Sequence, residues 1–141
     1  MLHRLNPVRV AFLRACVDMR WGGDISQRHP LTGKTALDVG CGASLLCEPM
    51  ARLGADVTGV DAAPENTAAA AVHADGAGLD IRYIAGEVGS LDIGTFDLVT
   101  AMEVIEHVAD KPAFIAALAG RLAPDGLMVL STPNRTPQSR L

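Results

Sequence analysis

Short β-branched apolar runs alternate along the chain with segments of helical period, and this alternation is its dominant signal. "TALDVG" (35–40) is predicted as a buried strand and is followed by a helix over 44–53. "ADVTGVD" (55–61) is a second strand, and "PENTAAAAVHAD" (64–75) a helix that Pro64 opens at its first position. "DIRYIAG" (80–86), "FDLVTAM" (96–102) and "GLMVLSTP" (126–133) supply strands three to five. Between the last two, "DKPAFIAALAGRLAPDG" is predicted as a helix capped by Asp110, with Phe114, Ile115, Leu118 and Leu122 on one face. Gly126 beyond Pro124 is its expected stop. An amphipathic helix over 5–20 and a loop over 21–33 precede the first strand. Strands alternating with helices imply right-handed crossovers and a mostly parallel sheet covered on both faces. The expected fold is a doubly wound α/β domain, with residues 1–34 as an N-terminal helix and loop and 35–141 as the core.

Composition narrows what such a domain can do. The 141 residues suffice for one buried core, and 49% hydrophobic content excludes disorder as the main state. Aromatic residues are only 4%, so Ala, Leu, Val and Ile must build that core. A net charge of −4, with Lys and Arg scattered apart from a loose concentration near the two ends, gives no footprint for nucleic acid. No apolar run approaches the ~20 residues that span a bilayer. Arg4, Arg9 and Pro7 argue against a secretory leader, and three cysteines without a C-x-x-C point to a reducing, cytoplasmic setting. Cys16 and Cys47 read as small buried apolar residues, and nothing near Cys41 is set to activate it.

In this fold class ligands bind outside the carboxyl ends of the strands, so the first strand–helix turn is the place to look. Gly40 and Gly42 allow a tight turn and close backbone approach to a ligand. Two nucleotide classes compete for such a loop. A dinucleotide fingerprint wants a third small residue where this chain has Leu45, and a phosphate loop wants a Lys followed by Ser or Thr, which is missing. The short G-x-G-x-S form favours a nucleoside ligand without phosphates. Asp61 lies 21 positions after Gly40, near the ~20-residue offset of a ribose-binding carboxylate, although a helix-capping or loop role would also suit it. After the third strand, Glu87 can accept from an exocyclic amine and Val88 can pack on a ring; a plain solvent loop is the alternative.

"LDVGCG", "GVD" and the "PDG" ahead of the fifth strand resemble the class I S-adenosylmethionine-dependent methyltransferases. More narrowly, "LHRLNPVR" (2–9), "LLCEPMARLGADVTGVDAAPEN" (45–66), "MEVIEHVAD" (102–110) and "STPNRT" (131–136) resemble the ubiquinone-biosynthesis O-methyltransferases. The resemblance implies a Rossmann-like core and methylation of a polyprenylated, catechol-like small molecule. It implies cofactor contacts at Arg9, Gly40, Gly42, Asp61 and Met102, with Arg9 reaching the methionine carboxylate. It also admits a homodimer, and peripheral contact with the inner membrane through segments expected to be missing from this chain.

Glu103, Glu106 and His107 stand at i, i+3 and i+4 directly after the fourth strand. Two carboxylates and an imidazole can hold a hard cation such as Mg²⁺, as related quinone methyltransferases are thought to do. A phenol with a pKa of ~10 must become a phenolate to attack a sulfonium methyl; a cation lowers that pKa and His107 can take the proton as general base. The alternative gives the two Glu residues a part in shaping the loop and His107 a local packing role.

The chain departs from the family at Ala43 and Ser44, where two glycines usually stand, and weakened cofactor affinity is expected. It also stops just past the fifth strand, where an antiparallel hairpin normally follows, so a fragment with an exposed edge strand is expected. Three rival functions stay open: a methyltransferase with another acceptor, a non-catalytic S-adenosylmethionine-binding module, and an NAD-dependent oxidoreductase.

Overall fold

The computed structural model describes residues 2–40, 42, 46–102 and 104–131, with side chains from Asn6 onward. Ala43, Ser44, Leu45, Cys41 and Glu103 lie outside the described residues, as does the end of the predicted fifth strand. The elements are α1 (Leu2–Trp21), β1 (Thr35–Val39), α2 (Cys47–Arg52), β2 (Asp56–Asp61), α3 (Pro64–Gly76), β3 (Arg82–Ala85), β4 (Phe96–Met102), a 3₁₀ turn (Ile105–His107), α4 (Lys111–Ala119) and β5 (Leu122–Ser131). All strand pairs are parallel, in the order β3-β2-β1-β4-β5. The order reverses at β1, so the crevice between the ends of β1 and β4 is the switch point at which doubly wound sheets bind ligands.

Period-two alternation in the strands feeds two cores. On one face, Ala36, Val57, Leu98 and Val129 pack under Leu13 and Val17 of α1 and Cys47 and Met50 of α2. On the other, Leu37, Val39, Val60, Val99 and Ala101 meet Leu118 of α4 and Val88 of the β3–β4 connection. The few aromatics leave the work to Leu, Val and Ala, as composition required. Pro64 does open α3, and the Asp110 side chain caps α4 by accepting from Ala113 N–H at 3.1 Å.

The last helix and strand need correcting. Helix α4 ends at Ala119, and Leu122, expected on its apolar face, is the first residue of β5. Pro124 and Gly126 do not stop the helix; they lie inside the strand, at a register shift where Phe96 faces Leu122 but Leu98 faces Leu127. Asp125 takes a positive φ of 64° there, and an edge strand tolerates Pro because its missing N–H interrupts no inner ladder. Helix α2 begins at Cys47, later than the expected 44, and Cys16 is only half-buried whereas Cys47 is fully buried.

Helix α2 sits close on β2 because Gly59 has no side chain. A Cβ there would stand 2.8 Å from the Tyr83 ring and 2.9 Å from Cys47 Sγ. Gly59→Ala should therefore cost about 1–3 kcal/mol through overpacking. At the end of α3, Gly76 has open space, and Gly76→Ala should gain about 0.5–1 kcal/mol. Urea unfolding of the two variants should move in opposite directions; a neutral Gly59→Ala would contradict the close α2–β2 contact.

Candidate functional site

The carboxyl ends of the strands surround a cavity of about 350 Å³. Its floor is the end of β1. Gly40 N–H donates to Val60 C=O at 2.7 Å, after which the backbone turns with φ of 75°. A Cβ on Gly40 would lie 2.5 Å from Cγ2 of Val104, so the turn is shut against side chains by sterics and by conformation alike.

Asp61, at the end of β2, forms one wall and ties the loop to the next helix. Its Oδ2 accepts from Gly42 N–H at 2.9 Å; its Oδ1 accepts from Ala63 N–H at 2.9 Å and from Asn66 Nδ2 at 3.2 Å on the first turn of α3. Of the two roles weighed for this residue, these bonds show the loop and helix-start one; the side chain also faces the cavity. A carboxylate offers about four acceptor positions, so one is left for a ligand hydroxyl.

The opposite wall follows β3. Gly86, the exposed Glu87 and the buried Val88 line the cavity, and Arg121 fixes their segment by donating to Val88 C=O at 3.3 Å and Leu91 C=O at 2.5 Å. The mouth is formed by Val104, His107, Val108 and Ala109, with Phe114 of α4 behind them. The His107 side chain is 76% exposed, and its Nε2 lies 3.6 Å from Oε2 of the partly buried Glu106 side chain. The other oxygen of Glu106, Oε1, is buried without a hydrogen-bond partner among the described residues. The expected helical face of Glu103, Glu106 and His107 is instead a single 3₁₀ turn over Ile105–His107, with Glu103 outside the described residues. No group of three His, Cys, Asp or Glu side chains suited to a metal occurs among the described residues.

The structure thus gathers Gly40, Asp61, Glu87, Val88 and His107 around one space. Gly42 reaches it through Asp61. Arg9 and Met102 do not line it: Arg9 is buried on α1, and Met102 packs against the α1–α2 core. Sequence reasoning missed Phe114, Val104 and Arg121, which look like ordinary core or surface residues until the chain is folded. It also passed over Asp38, whose signal was available: an acid inside an apolar strand, two positions before Gly40.

Asp38 is buried beneath α2. Thr100 Oγ1 donates to its Oδ1 at 2.8 Å, and Cys47 Sγ lies 3.7 Å from its Oδ2. Burial pushes its carboxyl up to about 7, against the opposing pull of these two donors, and the nearby charge of Asp61 adds to the rise.

Similarity to known proteins points one way. Residues 20–141 match the family model described as a methyltransferase domain. The chain is 47% identical over 137 residues to a ubiquinone biosynthesis O-methyltransferase of Sinorhizobium medicae, covering 96% of this chain and 55% of that one. It is 46% identical over 138 residues to the protein of the same name in Maricaulis maris, covering 96% and 54%. The chain therefore spans about half the length of these relatives. Among solved structures, magnesium protoporphyrin IX methyltransferase from Synechocystis with bound SAH superposes with a TM-score of 0.68 at 24% identity, over 85% of this chain and 51% of that one. Coclaurine N-methyltransferase gives 0.70 at 17% identity, over 89% and 35%. These two share the fold.

Asp38 makes a prediction about stability. The folded chain holds this proton more tightly than the unfolded chain, whose carboxyl titrates near 3.8. Its favourable contribution is therefore complete below that value and is lost as pH rises through about 7. Between pH 5 and pH 8 the loss should be roughly 2–3 kcal/mol. Asp38→Asn keeps an acceptor for Thr100 and should flatten this part of the profile. Urea unfolding at the two pH values measures it, and parallel profiles for the two proteins would contradict the shift.

Proposed function

The chain belongs to the methyltransferase domain family, and from that premise we propose that it binds S-adenosylmethionine in the cavity at the carboxyl end of its sheet and takes part in O-methylation of a catechol-like, polyprenylated small molecule. The charge of the cavity carries the cofactor reading. Its described lining includes the carboxylates of Asp61 and Glu87 and no Lys or Arg. Such a wall suits a sulfonium cation and opposes the pyrophosphate of a dinucleotide. The Gly40 turn fits the same reading, since backbone without a side chain can approach a ligand closely.

Asp61 would accept from a ribose hydroxyl with its remaining acceptor position, and Glu87 from an exocyclic amine. Val60, Val88 and Phe114 would exclude water around the base. Arg9, Gly42 and Met102 belong to the proposal on the strength of the resemblance, with Gly42 held against Asp61. When bound, S-adenosylmethionine supplies an electrophilic methyl group on sulfur. His107, open to solvent at the cavity mouth, would accept the phenolic proton at a ring nitrogen and leave the oxygen free to attack. The alternative use of the same residues is a divalent cation such as Mg²⁺ at Glu106 and His107, with Glu103 as a third ligand; a neutral imidazole has one lone pair, so His107 would then serve as ligand and not as base. The orphaned Oε1 of Glu106 supports it. The acceptor assignment follows the similarity to the ubiquinone-biosynthesis relatives. A polyprenylated acceptor would bring the protein to a membrane surface, and a homodimer is compatible with the same function.

Calorimetric titration tests the cofactor. S-adenosylmethionine should bind, NAD should not, and Asp61→Ala should weaken binding at least tenfold, about 1.4 kcal/mol. Heat on adding NAD alone would transfer the cavity to a dinucleotide. For the chemistry, His107→Ala should depress methyl transfer to a catechol while leaving cofactor binding intact, an effect of about 10²-fold or more for a lost general base.

A further inference from the structure

The connection between β3 and β4, residues 86–95, supplies one wall of the cavity and has little regular structure of its own. Gly86 N–H donates to Asp61 C=O at 2.9 Å. A single turn follows, in which the N–H groups of Ser90 and Leu91 both donate to Glu87 C=O, at 3.0 and 3.2 Å. Beyond Leu91 no element begins until Phe96. The exposed Glu87 and the buried Val88 line the cavity from this turn. The segment also closes on itself: a Cβ on Gly86, at φ of 150°, would stand 2.9 Å from Cδ2 of Leu91. A group that holds Leu91 therefore holds the end of β3 as well.

That group is the guanidinium of Arg121. Its Nε donates to Val88 C=O at 3.3 Å and its Nη2 to Leu91 C=O at 2.5 Å. The planar fork of an arginine bridges two carbonyls in a fixed geometry, which the single ammonium of a lysine does not. The backbone of Arg121 is anchored on both sides of the α4–β5 junction. Its N–H donates to Leu118 C=O at 3.0 Å, and its C=O accepts from Phe96 N–H at 2.7 Å. Leu118 and Phe96 are both buried. No carboxylate pairs with Arg121 among the described residues, and Arg121 does not line the cavity. Both of these charge-assisted hydrogen bonds go to the connection.

Given the S-adenosylmethionine reading of the cavity, on which this rests, we propose that Arg121 is a positioning residue for base recognition. It sets the Glu87–Leu91 turn so that Glu87 and Val88 select adenine over a purine that lacks the exocyclic amine. Holding a loop in place before the ligand arrives removes the cost of ordering it on binding. It also fixes direction. A carboxylate distinguishes an amine, which donates, from a carbonyl oxygen, which does not, only when it is aimed at that edge of the ring. Without the fork, the Val88 and Leu91 carbonyls turn to water and the exposed Glu87 moves with them. A role confined to stability has a different consequence: it loosens the whole site and weakens adenine and hypoxanthine ligands alike.

Calorimetric titration with two thioethers tests it. S-adenosylhomocysteine and S-inosylhomocysteine share the ribose and the amino-acid tail, and differ where the amine of the base is replaced by a carbonyl oxygen. The parent chain should bind the first more tightly by about tenfold or more. Arg121→Met keeps the apolar stem and removes both donors, and the ratio should fall to about threefold or less. Arg121→Lys should fall between the two, and it carries the test if circular dichroism shows that Arg121→Met does not fold. In a Glu87→Ala background, where the ratio is already lost, Arg121→Met should change it no further, because the two residues act in one path. Arg121 variants that weaken both ligands equally and keep the ratio would overturn the proposal, as would a parent chain that binds both ligands equally well. A parent chain that binds neither would instead remove the cofactor reading, and this inference with it.

Discussion

The open end of the sheet is organised by the carboxylate of Asp61. Register places it one step beyond the Val39–Val60 pair, beside the turn at Gly40, so a short acidic side chain there can reach both the loop after β1 and the start of α3. Hydrogen bonds to an ionised acceptor contribute about 1.5–3 kcal/mol each, more than neutral ones, and three converge on this group. A second tie lies farther from the cavity. The buried Glu48 of α2 accepts from Arg52 on its own helix at 3.5 Å and pairs with Nδ1 of His73 on α3 at 2.5 Å. Helix α2 is thus fixed to α3 through the Glu48–His73 pair, and Gly42 to the start of α3 through Asp61. This is how a helix of only six residues holds a defined place on the sheet.

The parts of this arrangement visible in the sequence are those governed by local rules. Strand β4 could be bounded to the residue because its apolar run is buried on both faces and bracketed by polar segments. Pro64 and Asp110 announced their helices through backbone chemistry that acts within one turn. Asp61 and Gly40 were legible because parallel topology converts a fixed offset in sequence into adjacency at the switch point. The β5 start was not. Leu122 stands four positions after Leu118, and that spacing serves a helical face as well as a buried strand; only pairing with Phe96 decides it. Pro124 and Gly126 looked like punctuation, yet on an edge strand they make a bulge. Phe114 and Arg121 were illegible as site residues for a related reason. Which side of α4 meets the cavity, and which loop the guanidinium reaches 30 residues away, depend on the crossover and leave no periodic trace.

Acidic side chains are concentrated around the cavity: Asp61 and Glu87 stand in its walls, Asp38 beneath the floor, and Glu106 beside its mouth. Their mutual repulsion would open the site if each stood free, and the fold answers differently at each. Asp61 is met locally by three hydrogen-bond donors, whereas Asp38 is driven towards its protonated form by burial. Glu87 faces water. Glu106 keeps one buried oxygen without a partner among the described residues, and it is the acid for which the protein has provided least.

The walls around these acids are fixed through the backbone. Arg121 holds the β3–β4 segment through two backbone carbonyls, and Asp61 holds the glycine turn through a backbone N–H. Neither bond uses a side chain that a ligand must displace. The rigid parts of the site are therefore those that would bind and orient, while His107 projects from a single 3₁₀ turn with three quarters of its side chain in solvent. On the proposed function that position would suit a proton acceptor. It could exchange its proton with water between turnovers, and a bulky acceptor molecule could approach it from the open side without disturbing the walls proposed to hold the cofactor. The division of the cavity into a fixed wall and an exposed histidine edge follows from where β4 ends: the chain brings Val104 against Gly40, and the next turn carries His107 outward to the mouth.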